Sequence, residues 1–153
     1  MARSHLIIHI PHCATRIPPE VRQNLLLSHN EIESEILKMT DWYTDELAAG
    51  LHNSATIIKN KYSRLVVDPE RFRDDSKEIM SKKGMGAVYV RTCEGEPLRR
   101  LAPDDREQLL RQYFDPYHEH FDTVVADILA DHGCCLIVDL HSFPSKPLPY
   151  ETD

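Results

Sequence analysis

The chain has 153 residues, 41% of them hydrophobic and 28% charged, which suits a single globular domain over 1–153 and excludes disordered or fibrous composition. Its formal net charge is -7, and its Lys and Arg form no stripe, so general nucleic-acid binding is excluded on electrostatic grounds. No apolar run approaches the roughly 20 residues needed to cross a bilayer, so no membrane partner is expected.

Met1-Ala2-Arg3-Ser4-His5 runs straight into a strand-like segment and lacks the form of a signal peptide, so a cytoplasmic setting is expected. Leu6-Ile7-Ile8-His9-Ile10, closed by Pro11, reads as a buried strand. Ser28 and Glu31 form a capping-box pattern, followed by apolar residues at Ile32, Ile36, Met39, Tyr43, Leu47 and Leu51. That spacing predicts one buried helical face, with Thr40 able to break it and cap a second helix.

Residues 55–58 and 65–67 predict a second and a third strand, and residues 71–83 an exposed charged excursion. Gly84 and Gly86 frame a turn, and residues 87–90 predict a further strand. Pro103 opens a long helix whose apolar face runs through Leu109, Tyr113, Tyr117, Phe121, Val124 and Ile128. Pro116 should kink or split it, and Gly133 should end it. Residues 135–138 predict the last strand, aimed at Asp139-Leu140-His141-Ser142.

Strands alternating with helices predict an α/β fold, a largely parallel sheet covered by helices on both faces. In such sheets ligands gather beyond the carboxyl ends of strands. That rule brings His12, Asp68, Asp139 and His141 to one edge. Two neutral imidazoles, His12 and His141, are natural metal ligands, and a catalytic zinc takes a third protein donor. Asp41 and Asp45, four apart on an expected helix, are the candidates. Asp139, two residues before His141, is placed to hold an imidazole tautomer. Arg64 and Arg71 flank Asp68 and suit either a carboxylate ligand or a salt bridge to Asp68 or Glu70.

The four cysteines, Cys13, Cys93, Cys134 and Cys135, form no CxxC pair. Cys134 and Cys135 read as small core residues with free thiols, and Cys13 as a candidate thiol nucleophile beside His12.

These segments resemble, in order, the motifs of the N-formylglutamate amidohydrolases. Ile10-Pro11-His12 with Thr15 and Pro18-Pro19 is similar to the opening strand-to-loop motif, and residues 40–45 (Thr40-Asp41-Trp42-Tyr43-Thr44-Asp45) to the Asp-Trp helix. Tyr62-Ser63-Arg64 through Asp68 to Arg71 resembles Y-S-R-x-V-x-D-x-N-R. Gly95-Glu96-Pro97-Leu98-Arg99, Pro116-Tyr117-His118 and Asp139-Leu140-His141-Ser142 complete the series.

The resemblance implies a three-layer αβα fold with a mixed, largely parallel sheet, akin to the zinc exopeptidases. It implies a divalent metal, zinc by donor type, held by His12, His141 and Asp41, or Asp45 in its place. It implies that Arg71 grips a substrate carboxylate and that Arg64 meets a carboxylate or the oxyanion. The implied reaction is hydrolysis of an N-formyl or N-acyl amino acid such as N-formyl-L-glutamate, a small-molecule substrate.

Two departures stand out. Glu70 occupies the position of the motif's Asn, which puts glutamate specificity in question. Members of the family are also longer, which leads to the expectation that the C-terminal part, with the general base, is missing. A non-catalytic metal- or ligand-binding remnant is therefore an alternative, and a Cys13-based amidase a third reading that chelation would separate.

Overall fold

The computed structural model describes residues 4–151; the readings placed on residues 1–3 and 152–153 lie outside them. Three strands form one parallel sheet in the order β2-β1-β3: β1 (Leu6–Ile10), β2 (Thr56–Lys59) and β3 (Leu136–Asp139). The central strand β1 carries the most apolar run and is the most buried of the three. All pairings are parallel, and the register sets His9 beside Asp139.

Because side chains alternate across a strand, β1 feeds two cores. Ile7 joins Ile58 and Ile128 under Tyr117 and Phe121 on one face. Ile8 and Ile10 join Ala48 and Ala55 on the other. Helix α5 (Asp115–His132) covers the first face, and the short helix α3 (Thr44–Ala48) lies over the second. This is the expected layered α/β arrangement, with a sheet that is wholly parallel among the described residues.

Helix α1 (Pro19–Arg22) is a single turn. Helix α2 (His29–Met39) begins with the expected capping box: the Ser28 side chain accepts from Glu31 N–H, and the Glu31 carboxylate accepts from Ser28 N–H. It buries Ile32, Ile36 and Met39 and stops there. Thr40 is its C-cap, in extended conformation, and Tyr43 takes φ 67 ahead of α3. That reversal breaks the helical phase, so Tyr43, Leu47 and Leu51 are exposed and the single buried face ends at Met39.

Helix α4 (Pro103–Leu109) passes through a π-helical turn, Leu110–Phe114, into α5. Pro116 has no N–H to give the preceding turn, and the wider turn absorbs the defect. The extra residue moves the buried position from Leu109 to Leu110, which is fully buried with Tyr113 and Phe114 alongside. Gly133 ends α5 in the left-handed region at φ 71.

Two expected strands are absent. Residues 65–67 are among the most buried in the protein, yet they form turns, with Val66 N–H bonded to Ser63 O. Residues 87–90 contribute only isolated bridges around Met85 and Tyr89. A short apolar run reports burial, and here the burial comes from α1, α2 and the π-helical turn rather than from sheet neighbours. The 71–83 excursion is exposed over most of its length but anchors through buried Glu78, and Ile79–Lys83 forms a 3-10 turn. Cys134 is exposed rather than in the core, because it precedes an edge strand whose Leu136, Ile137 and Val138 are themselves exposed.

Candidate metal centre

The site is assembled from four segments at the carboxyl edge of the sheet. His12 follows β1 across Pro11. Asp41 is tied to it by its own N–H, which donates to His12 O at 3.0 Å. The buried turn after residue 65 delivers Asp68 and Glu70, and the chain leaving β3 delivers His141. These segments border a cleft of about 230 Å3 that also meets Lys38, Arg64, Arg71 and Tyr150.

Each histidine is held by a carboxylate on one ring nitrogen and offers the other to the same place. His12 Nε2 lies 2.8 Å from Asp68 Oδ1, with both side chains buried. His12 Nδ1 is buried without a hydrogen-bond partner and faces Glu70 Oε2 at 3.4 Å. His141 Nδ1 lies 2.8 Å from Asp41 Oδ2, and its Nε2 lies 3.1 Å from Glu70 Oε1. In the neutral tautomers that donate to Asp68 and Asp41, the lone pairs of His12 Nδ1 and His141 Nε2 would face Glu70. Donor atoms of His12, Glu70 and His141 lie within 4.8 Å of one another and can hold a metal ion. The unpartnered Nδ1 and the two-imidazole, one-carboxylate donor set both fit a divalent cation.

Charge follows the same geometry. Burial opposes protonation of His12, but the Asp68 and Asp41 carboxylates outweigh it and raise its pKa. The bonds to Asp41 and Glu70 raise His141 to about 10. Burial works against ionisation of Asp41, yet the contacts with His12 and His141 hold it well below the usual carboxylate range. Asp68 is wholly buried, and Arg64 and His12 more than compensate for its desolvation.

The expected site residues fall into two groups. His12, Asp41, His141, Arg64 and Arg71 all border the cleft. Asp41 lies 2.8 Å from His141 and 3.8 Å from His12 Nδ1, outside the compact three-donor set. Arg64 donates from Nε and Nη2 to Asp68 and from Nε to Tyr89. Arg71 is less committed: its Nε is 3.6 Å from Asp68, without a hydrogen bond, and its Nη1 is 3.9 Å from Glu78.

Asp45 is not brought to the site. It sits in α3 near Lys59, because residue 41 precedes that helix and the two aspartates do not share a helical face. Asp139 holds a different imidazole from the expected one. The β1–β3 register sets it beside His9, whose Nδ1 it bonds at 2.5 Å, while Tyr117 bonds His9 Nε2. Donor atoms of His9, Asp139 and Glu70 also lie within 4.8 Å of one another. Cys13 is half-buried, and burial and the nearby Asp45 raise its thiol pKa, which disfavours a thiolate nucleophile.

Glu70, which the sequence marks only as a departure from the motif's Asn, stands between both imidazoles. Its signal was present: a chemically different residue at a motif position, two residues beyond Asp68.

Fold and site together define an α/β protein with a candidate metal centre at its strand ends. The sequence matches the N-formylglutamate amidohydrolase family model over residues 4–153, and the chain belongs to that family. It is similar to the N-formylglutamate deformylases of Pseudomonas putida, 31% identical over 148 residues, and of Pseudomonas aeruginosa, 32% identical over 148 residues. Each match covers 94% of this chain and 53% of the relative, so the chain spans about half the length of the curated relatives it matches.

The fold is similar to the crystal structure of N-formylglutamate amidohydrolase from Ralstonia eutropha JMP134, with TM-score 0.80 and 18% identity over 94% of this chain and 55% of that one. It is also similar to a gene product of Agrobacterium tumefaciens, with TM-score 0.68 and 21% identity over 93% of this chain and 53% of that one.

Proposed function

We propose that this chain carries the metal-holding and substrate-binding part of an amidohydrolase acting on N-formyl or N-acyl amino acids, such as N-formyl-L-glutamate. The observation that carries the reading is the convergence of His12 Nδ1 and His141 Nε2 on Glu70. The deformylase names of the two Pseudomonas relatives support the substrate class. When bound, a divalent cation supplies Lewis acidity, which polarises an amide carbonyl and acidifies water.

The chain's own residues do the rest. His12, His141 and Glu70 are the donors, with Asp41 beside them as a further donor or as the group that fixes the His141 tautomer. Asp68 fixes the His12 tautomer and anchors Arg64, whose position on the cleft suits stabilisation of an oxyanion. Arg71, with an unpartnered Nε, binds a substrate carboxylate in two-pronged fashion. Asp139 supports the edge of the site through His9 and its proximity to Glu70. Free cysteines fit a reducing, cytoplasmic setting, and no described helix is long and apolar enough to cross a membrane.

Formate release from N-formyl-L-glutamate is the test, with N-acetyl and neutral N-formyl amino acids beside it. Turnover that is lost on chelation and restored by zinc is expected. Turnover indifferent to chelation sinks the metal mechanism, and ligand binding without turnover would make the chain a binding module.

A further inference from the structure

Arg99 stands apart from the cleft above. Its side chain is only 4% exposed. Its Nη2 donates to the Leu65 carbonyl, and its Nε is buried with no hydrogen-bond partner. Among the described residues no carboxylate pairs with it, and burial alone moves its pKa, down to about 10. A guanidinium taken out of water without a counter-charge is costly, and proteins rarely tolerate one unless something answers the charge.

Arg99 borders a second cleft, of about 240 Å3, where α1 and the residues after it meet α4 and the π-helical turn. The other polar groups there decide what would fit. Gln23, Asn24, Gln108 and Gln112 bring neutral amides, and Glu20 and Asp105 bring carboxylates. Glu20 accepts the Tyr113 hydroxyl through Oε1, and Asp105 accepts Ala102 N–H through Oδ2. A simple anion in this cleft is repelled by Glu20 and Asp105, and a simple cation is repelled by Arg99.

We propose that this cleft is a second ligand site, for a small zwitterion of the amino-acid type, its carboxylate on Arg99 and its ammonium group towards Glu20 or Asp105. The bond from Arg99 to Leu65 gives the site a mechanical link to the centre, because residue 65 adjoins Arg64 in the turn that carries Asp68 and Glu70. The site stands independently of the proposed hydrolysis.

Calorimetric titration of the purified chain tests it, with glycine and L-alanine as ligands and acetate and methylamine as single-charge controls. Saturable one-site binding of at least one amino acid is expected, at least tenfold tighter than either control. Arg99→Met should weaken it at least tenfold, and Arg71→Ala, in the other cleft, should leave it unchanged. Should Arg99→Met fail to fold, the exposed pair Glu20→Gln/Asp105→Asn should produce the same loss of preference for amino acid over acetate. Absence of saturable binding, equal binding of acetate, or loss in Arg71→Ala would overturn the proposal. So would full retention in Arg99→Met.

Discussion

His12 and Asp68 meet at 2.8 Å, imidazole Nε2 against carboxylate Oδ1, with both side chains out of contact with solvent. Asp68 also accepts from Arg64, from the Tyr89 hydroxyl and from Glu70 N–H. One buried carboxylate therefore ties the His12 tautomer to the loop that carries the other donor, Glu70.

Asp68→Asn should act on both fold and site. Removing one partner of a buried ion pair costs about 3–5 kcal/mol, and loss of an outer carboxylate lowers metal affinity about 10–100-fold. Urea unfolding and zinc competition titrations check the two effects separately.

The same substitution carries a pH signature. The folded-state pKa of Asp68 lies well below its ordinary value of 3.8. Its stabilisation is thus fully present above that value and is lost as pH falls below it towards the folded pKa. The stability gap between wild type and Asp68→Asn should be widest near neutrality and narrow below about pH 4. Urea midpoints from pH 7 down to pH 3 measure it, and a gap that widens on acidification contradicts the role given to Asp68.

Gly84 caps the 3-10 turn at φ 77, and a Cβ there would stand 2.9 Å from Arg91 Cγ. Gly84→Ala combines backbone strain with crowding against a flexible side chain and should destabilise by about 1–2 kcal/mol. Thermal unfolding checks it, with Gly50→Ala as the control, since nothing lies within 4 Å of the added carbon at position 50.

Ile128 is fully buried between α5 and the sheet with Ile7 and Ile58. Ile128→Ala should cost about 2–5 kcal/mol without altering zinc affinity in the folded protein, because this core lies on the sheet face that carries α5. A parallel loss of affinity at temperatures where the variant remains folded would show that the two regions are coupled.

Much of this arrangement was legible from residue order. The Ser28–Glu31 capping pair and Gly133 marked helix ends by local chemistry, and local chemistry decided them. The central strand was legible because its apolar run is continuous and its exit proline abrupt. Residues 65–67 and 87–90 were misread as strands because periodicity does not distinguish a strand from a buried irregular turn. The gathering of His12 and His141 followed from the strand-end rule. The place of Glu70 did not, since it depends on how the turn after Asp68 packs. Asp139 turned to His9 because of strand register, which the order of residues leaves open.

The most direct test of the central claim is zinc stoichiometry by mass spectrometry on the purified chain, beside His12→Ala, His141→Ala, Glu70→Ala and Asp45→Ala. About one tightly held equivalent is expected in the wild type, the number of sites set by one three-donor group. Loss is expected in the His12, His141 and Glu70 variants and retention in Asp45→Ala. Zinc held equally by wild type and the Glu70 variant would remove Glu70 from the centre, and no uptake by the folded wild type would contradict the metal site itself.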